Sequence, residues 1–458
     1  MTFDFVVIGG GSAGYAAART ASEAGAKVAI VDKGPLGGLC ILKGCMPTKT
    51  ILRSSDVMSL MHRAKEFGLR ATNVQARLSE INTRKKRLVK EFADYRIKQL
   101  KSPRFTLIRG KAQFVDNTAI RVSGKTIKAK SFLIGTGSVA AHIPIPGLDD
   151  AGYITSDEAL ELRKQPKSMI VLGGGPVATE LAQFFCRIGT RVSLIQRSNH
   201  IFSSTDEDLA KPIEARFQEE GMAVYTGTQL HKFTAKNGLK TAHFTHNGKP
   251  KRTSAEVVLQ ALGRKPNIEG LCLEKAGVDV QNGRIVVDNH MRTSAPNIYA
   301  AGDCTGLYEI VHIAIQQGEI AGHNAVHNTP KKAIDYRLKA EVIFTDPQFA
   351  SVGLTEKECK NKGIAYRVAT YPFGDHGKSM VLGETHGLVK ILCDPQSGEI
   401  IGGHIVGPDA GELFHELIAF MYFRGTVMDL MAMPHYHPTL AEILTYPAEE
   451  LSEQIARP

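Results

Sequence analysis

The sequence predicts an α/β architecture: two doubly wound folds in tandem, followed by a separate α+β domain. Three observations lead there. A succession of apolar strand, glycine-rich turn, small-residue helix and second apolar strand occurs twice, over residues 4–33 and 169–197. From about Leu338 the texture changes to VIFTDPQFASVGLTE, then GLVKILCDPQSGEIIGGHIVG, then helices. The chain has 458 residues, 43% hydrophobic and 22% charged, which suits roughly two to four domains with ample core.

The first unit reads DFVVIGGGSAGYAAARTASEAGAKVAIVDK, with Gly9-x-Gly11-x-x-Gly14 between strand and helix and Asp32 closing the second strand. The second reads MIVLGGGPVATELAQFFCRIGTRVSLIQR, with Gly173, Gly175 and Ala178 in the equivalent places. Glycines there allow a tight turn and close backbone approach to a pyrophosphate, whose charge meets a helix N-terminus. One such motif is weak. Two, each in strand–turn–helix–strand context, indicate two Rossmann-like dinucleotide folds.

The residue 23 positions after the first glycine separates the two units. In the first it is Asp32, suited to a ribose diol. In the second it is Gln196, followed by Arg197. Loss of the carboxylate and gain of an arginine favour a 2′-phosphate. The competing reading has Gln196 on the diol and Arg197 on the surface.

Cys40 and Cys45 lie in GGLCILKGCMPTKT. A Cys-x4-Cys bridge closes a very short loop and adds little as a staple. A large chain with its own core has little use for one. The pair reads as a dithiol opened and closed by electrons. Pro47 marks a helix start, and a thiol at a helix N-terminus has its thiolate favoured. A zinc half-site and an inert disulfide are the alternatives. Cys186, Cys272, Cys304, Cys359 and Cys393 are scattered singly, so no second ligand pair stands at metal spacing and no metal is expected.

Further glycine-rich stretches follow. FLIGTGS, with Gly135-Thr136-Gly137-Ser138, precedes the proline-rich crossover AAHIPIPG. VVLQALGRKPN, with Gly263, closes the second unit, and NIYAAGDCTG carries Gly302 and Asp303 after an apolar strand. The expected domains are 1–145, 146–266, a return segment 267–337, and 338–458. In MPHYHPTLAEIL, His437 precedes Pro438, which disfavours helix there. Thr439-x-x-Glu442 fits a capping box opening a helix. A glutamate fixed at such a place can orient an imidazole and raise its basicity. His435 lacks that spacing and reads as a packing or hydrogen-bonding residue.

The net charge is +10. Its densest block, TRKKRLVK at Thr83–Lys90, reads as a solvated helix face, with an acidic partner, anionic substrate or nucleic acid as alternatives. No aromatic interleaving supports nucleic acid, and none is expected as a partner. No apolar run reaches membrane-spanning length, and LIAFMYF at 417–423 reads as buried helix. The start MTFDFVVIGGGSAG enters a strand at once with no secretory pattern, and seven cysteines fit a reducing compartment. A cytoplasmic protein without a membrane partner is the expectation.

These motifs, in this order, resemble those of the FAD-dependent pyridine nucleotide-disulfide oxidoreductases: lipoamide dehydrogenase, glutathione reductase and mercuric reductase. The series runs from the first glycine motif through Cys-x4-Cys-x-Pro-x-Lys, the second glycine motif, the GD motif and VGLTE to His-Pro-Thr-x-x-Glu, and covers essentially the whole chain. The resemblance implies an FAD domain, an NAD(P) domain and a C-terminal dimerisation domain. It implies that FAD is held by Gly9, Gly11, Ser12, Ala13, Gly14, Asp32, Lys33, Gly38, Lys49, Ala112, Thr136, Gly137, Ser138, Gly302, Asp303 and His312. NAD(P)H would be held by Gly173, Gly175, Pro176, Val177, Ala178, Gln196, Arg197 and Gly263. Lys49 would pair with Glu180 beside the flavin. Cys40 and Cys45 would form the redox-active disulfide, with Cys45 against the flavin and Cys40 exchanging with substrate. His437, backed by Glu442, would be the base, supplied by the partner subunit of a homodimer.

Within the family, EQIARP at the C-terminus has no cysteine pair of the mercuric reductase kind, and His437 supplies an imidazole those enzymes lack. His312, nine residues past Asp303, matches the lipoamide branch. Gln196, Pro176 and the middle of LCILKGCMPTK depart from it. The implied activity is dihydrolipoamide dehydrogenase-like oxidoreduction of a small or protein-bound disulfide. The alternative is an NADPH-dependent reductase of glutathione or another low-molecular-weight disulfide, or a mercuric reductase-like enzyme.

Overall fold

The computed structural model describes residues 1–327 and 331–456. Contacts divide it into two compact units, one of residues 1–50, 82–141 and 263–335, the other of 51–81, 142–262 and 336–458.

The first unit is built on a seven-stranded sheet among the described residues. Its parallel part runs Phe105–Arg109, Val28–Asp32, Thr2–Ile8, Lys125–Ile134 and Ile298–Ala300. Strands Ala119–Val122 and Ala112–Asp116 extend it antiparallel. Val6, Val7, Phe132, Leu133 and Ile298 are fully buried, as parallel strands covered on both faces require. The helix Ser12–Glu23 presents Ala13, Ala17 and Ala21 inward. Against it lies Val311–Val326. A Cβ added at Gly318 would stand 2.2 Å from the Ala13 carbonyl oxygen, and one at Gly322 2.5 Å from that of Ala17. The two backbones therefore touch, and only glycine fits at those two positions.

The second unit holds a four-stranded parallel sheet, ordered Ala223–Tyr225, Arg191–Ile195, Ser168–Leu172, Val257–Gln260. The helix Pro176–Arg187 packs on it through Leu181, Phe184 and Phe185. A three-stranded antiparallel sheet, Gln229–Lys236, Leu239–His246 and Lys249–Ala255, is inserted before its last strand. The α+β part carries a five-stranded antiparallel sheet, ordered Ala340–Ile343, Gln348–Gly353, Ile400–Gly407, Leu388–Cys393, Arg367–Pro372. Within this unit two buried cations tie elements together. Arg187, 3% exposed, bonds Asp56 at 3.0 Å, Glu220 at 2.6 Å and also Asp346. Lys390, 1% exposed, meets Asp206 at 3.0 Å, Asp208 at 2.8 Å and Glu356 at 2.6 Å.

Two local expectations are corrected. In 417–423, Leu417 and Met421 are buried but Tyr422 and Phe423 are 63% and 79% exposed, because they end the helix Ala410–Tyr422 on its outer side. The basic block lies in the helix Leu78–Leu100 and is only partly a solvated face. Arg87 and Lys90 pair outward with Glu91 and Asp94, whereas Lys85 is 1% exposed and Arg84 donates to the Thr50 carbonyl.

Candidate active site

In the first unit the glycine turn, the acidic strand end and the cysteine turn come together. Asp32 accepts the Gly10 N–H through Oδ2 at 2.8 Å and the Gly34 N–H through Oδ1 at 2.6 Å. This fixes the carboxylate beside the turn, with lone pairs left on both oxygens. A methyl at Gly14 would stand 1.8 Å from the Gly9 carbonyl oxygen, so this strand-to-helix turn requires glycine. Gly11 caps the helix that begins at Ser12, ahead of Ala13. A Cβ on Gly38 would lie 2.8 Å from the Gly11 Cα, so the segment leading to Cys40 runs against the glycine motif.

The third side of this cradle comes from 136–138 and 302–317. Ser138 donates to Asp303 Oδ2 at 2.6 Å and accepts from the Arg264 Nε–H at 2.8 Å. Gly302 N–H donates to Gln317 Oε1 at 2.7 Å. Thr136 Oγ1 is buried and has no hydrogen-bond partner within the protein. A Cβ at Gly137 would meet nothing within 4 Å. His312 stands in the first turn of Val311–Val326, Lys33 directly follows the strand ending at Asp32, and Ala112, buried, opens the strand Ala112–Asp116.

The short helix Leu39–Leu42 carries Cys40, and Cys45 is the first residue of the helix Cys45–His62. Pro47 is thus its third residue rather than its first, still within the turn whose N–H groups have no partner in the helix. Both cysteines are thiols here. The Cys40 thiol is pushed far above its usual range, first by its hydrogen bond to Cys45, then by burial, while the Lys49 ammonium pulls the other way. The proton therefore stays on Cys40, and the helix N-terminus favours the anion on Cys45.

The second unit presents its own glycine turn. Gly175 caps the helix Pro176–Arg187, with Pro176 at the first position, where its missing N–H costs nothing, followed by Val177 and buried Ala178. A Cβ at Gly175 would meet nothing within 4 Å. A cleft there is lined by Gly174, Gly175, Gln196, Phe202, Thr205 and Glu341, among others. Gln196 Oε1 accepts the Arg197 N–H at 3.1 Å, and Arg197 is exposed. Glu180 is buried and accepts the Phe344 N–H at 2.9 Å. Gly263 belongs to the first unit, directly before the strand Arg264–Pro266, which pairs with Ser138–Ala140.

In the α+β part, both carboxylate oxygens of Glu442 stand 3.1 Å from His437 Nδ1. A carboxylate only accepts, so the proton sits on Nδ1 and the Nε2 lone pair is left open. The His437 side chain is 80% exposed. Burial pushes the Glu442 carboxyl up, but the Thr439 N–H, His437 and His376 together hold it below its ordinary value. The expected capping box forms only by half. Thr439 N–H donates to Glu442 Oε2 at 3.3 Å, but the segment Ala441–Leu444 is a 3-10 turn, and the carboxylate is engaged by His437. His435 is satisfied locally: Nε2 meets Glu416 at 2.8 Å and Nδ1 the Met433 carbonyl at 3.0 Å. The sequence reading missed His376, which lies 3.5 Å from Glu442. It stands 66 residues upstream in an unremarkable GDHGKS run, with no spacing signal to mark it.

Comparison with known proteins decides the family. Residues 3–318 match the model of the pyridine nucleotide-disulphide oxidoreductases, and residues 339–448 match the dimerisation domain of the same enzymes. The chain belongs to this family. A mercuric reductase of Staphylococcus aureus is 36% identical over 99% of this chain and 83% of its own length. The dihydrolipoyl dehydrogenase of Thermus scotoductus is 36% identical over 99% and 98%. Among solved structures, LpdA of Mycobacterium tuberculosis superposes with TM-score 0.88 at 28% identity, covering 98% of this chain and 99% of that one.

The protein is a flavoprotein oxidoreductase of the disulfide-reducing class, and members of its family use FAD with NAD(P)H. Its own residues fit both groups. The orphaned Thr136 hydroxyl and the open space at Gly137 suit FAD, and the uncovered Gly175 turn suits a dinucleotide. The dimerisation domain points to a homodimer. Among the described residues no helix is long and apolar enough to cross a membrane.

Proposed function

We propose that the protein catalyses dihydrolipoamide dehydrogenase-like oxidoreduction: a dithiol or disulfide substrate exchanges two electrons with NAD(P) through FAD and the Cys40–Cys45 pair. The observation that carries this reading is the bidentate Glu442–His437 contact, which leaves an exposed Nε2 base. Thiol–disulfide exchange needs such a proton acceptor; reduction of a metal ion does not.

Gly9–Gly14, Asp32, Thr136–Ser138 and Asp303 would hold the FAD, and Gly173–Ala178 with Gln196 and Arg197 would hold the nucleotide. FAD supplies the two-electron relay between nicotinamide and disulfide. The protein's own groups manage the sulfur and proton chemistry. Cys40 keeps its proton, so its attack on a substrate disulfide requires a base, and His437 Nε2 takes that proton. The Cys40 sulfur bonds one substrate sulfur as the substrate S–S bond breaks. The leaving thiolate takes the proton back from His437. Cys45 then attacks Cys40, the internal S–S bond forms, and the second substrate thiolate leaves. The sum is disulfide plus NAD(P)H plus a proton giving two thiols and NAD(P)⁺, or the reverse. In this reading His437 is that of the partner subunit.

Steady-state turnover of the purified protein with lipoamide, oxidised glutathione, CoA disulfide and Hg(II), each with NADH and NADPH, tests the proposal. Turnover of lipoamide at least tenfold above the others is expected. A preference for Hg(II), or for glutathione, would replace it with the corresponding reductase.

A further inference from the structure

His376 is fully buried between the turn Phe373–Asp375 and the helix Gly377–Leu382. Its Nδ1 is 2.8 Å from Ser379 Oγ. Its Nε2 is buried without a well-formed hydrogen bond, and its nearest acidic group is Glu442 Oε1 at 3.5 Å. A carboxylate offers only lone pairs, so the arrangement is attractive when Nε2 carries the proton and the Ser379 hydroxyl donates to Nδ1. Glu442 then stands between two imidazoles, His437 on the solvent side and His376 on the protein side.

From this geometry we propose that His376 is a positioning residue for the thiol chemistry: it steadies the Glu442 carboxylate from behind and so limits how strongly Glu442 holds a proton on His437. The proposal rests on the reading of His437 as the base. Burial holds His376 below its ordinary value against the opposing pull of Glu442, so it stays a neutral donor at neutral pH. The charged groups acting on it are Glu442 and His437. The Tyr446 ring lies edge-on at 6.2 Å, with Tyr371 stacked on that ring at 4.1 Å. The chain neighbours Asp375 and Lys378 are exposed and half-buried. No metal or cofactor is needed for this role.

The test compares His376→Asn with His376→Gln in the holoenzyme. Asparagine keeps a polar group towards Ser379 but cannot reach Glu442. Glutamine places an amide N–H near the Nε2 position. Removing the donor leaves the Glu442 carboxylate freer to hold His437 protonated. The acid limb of the kcat/KM–pH profile for disulfide should move to higher pH in His376→Asn. Disulfide turnover near neutrality should fall about three- to tenfold, the range expected for one weakened charge-assisted hydrogen bond. His376→Gln should restore both. NAD(P)H-dependent ferricyanide reduction, which bypasses the sulfur steps, should be unchanged in each.

Equal loss in both variants with an unmoved acid limb, or no change in either, would overturn the proposal. His437→Ala, run alongside, separates the two readings. If it spares disulfide turnover, the base assignment itself fails. If it abolishes turnover while the His376 variants behave like the parent, only the role of His376 fails.

Discussion

Both carboxylate oxygens of Glu442 stand at the same distance, 3.1 Å, from Nδ1 of His437. A symmetric acceptor of this kind fixes the tautomer and aims Nε2 outward in one stroke. Replacing Glu442 by Gln keeps the shape but removes the charge. Disulfide turnover should fall roughly ten- to a hundredfold, since a positioned base contributes about 10² or more. The acid limb of the pH profile should move down, opposite to the His376→Asn shift. Stopped-flow or steady-state rates from pH 5 to 9 would show it; an unchanged profile would detach Glu442 from the base.

The two cysteines should separate by spectrum. Two-electron reduction of the parent should produce long-wavelength absorption from a thiolate against oxidised flavin. Cys45→Ser should abolish it, because Cys45 is the sulfur favoured as the anion. Cys40→Ser should keep or strengthen it, since the remaining sulfur has no partner with which to close a disulfide. The reverse pattern in an anaerobic titration would invert the assignment.

In the proposed reading nucleotide choice rests on Gln196 and on Arg197, which is exposed. NADPH should serve at least as well as NADH. Arg197→Ala should raise the KM for NADPH by about tenfold, the worth of one charge-assisted contact, with a much smaller effect on NADH. A strong NADH preference in the parent that survives the substitution would exclude a phosphate at Arg197.

Assembly can be tested by complementation. On the proposed reading the base crosses a two-fold contact, which is isologous, so each chain of a dimer would both give and receive one. Chains with Cys40→Ser/Cys45→Ser and chains with His437→Ala should each be inactive with disulfides. After subunit exchange, about half the dimers are mixed and each holds one complete site, so about a quarter of parental activity should return. No recovery despite demonstrated exchange would place the base within its own chain.

His404 predicts an acid-stability limb. It is fully buried on the strand Ile400–Gly407, 2.8 Å from Ser351 Oγ and 3.0 Å from the Leu354 carbonyl. Burial lowers its pKa from 6.5 to about 4. The folded value lies below the unfolded one, so its stabilising contribution is complete above pH 6.5. It is lost as pH falls from there towards 4, about 3 kcal/mol in all. Denaturant midpoints across that window should fall in the parent and fall less steeply, by about one proton, in His404→Gln.

Much of this was legible from the chain. The two glycine turns, the strand end at Asp32 and the sulfur pair are written as short local motifs, because each depends on neighbours a few residues apart. The His437–Glu442 contact was legible for the same reason, though the expected capping box is only half formed. What escaped depends on distant segments. His376 reaches Glu442 from 66 residues away, and nothing in its own neighbourhood announces it. Lys85 and Tyr422 show the same limit: a charge run hides one buried lysine, and an apolar run ends in exposed rings. The direction a side chain takes at an element's end is set by packing that no short window contains.

The backbone contact of Gly318 and Gly322 on Ala13 and Ala17 also orders events in time. The first glycine turn leaves the ribosome about 300 residues before the helix that covers it. At about 5–20 residues per second, that is a wait of roughly 15 to 60 s. The strands of the second glycine-turn fold are contiguous over 168–260 and have no such delay. The nascent chain can therefore close its second nucleotide fold while the first is still an open sheet with an uncovered alanine helix. Throughout that interval the alanine face of the N-terminal helix lacks the helix that packs against it.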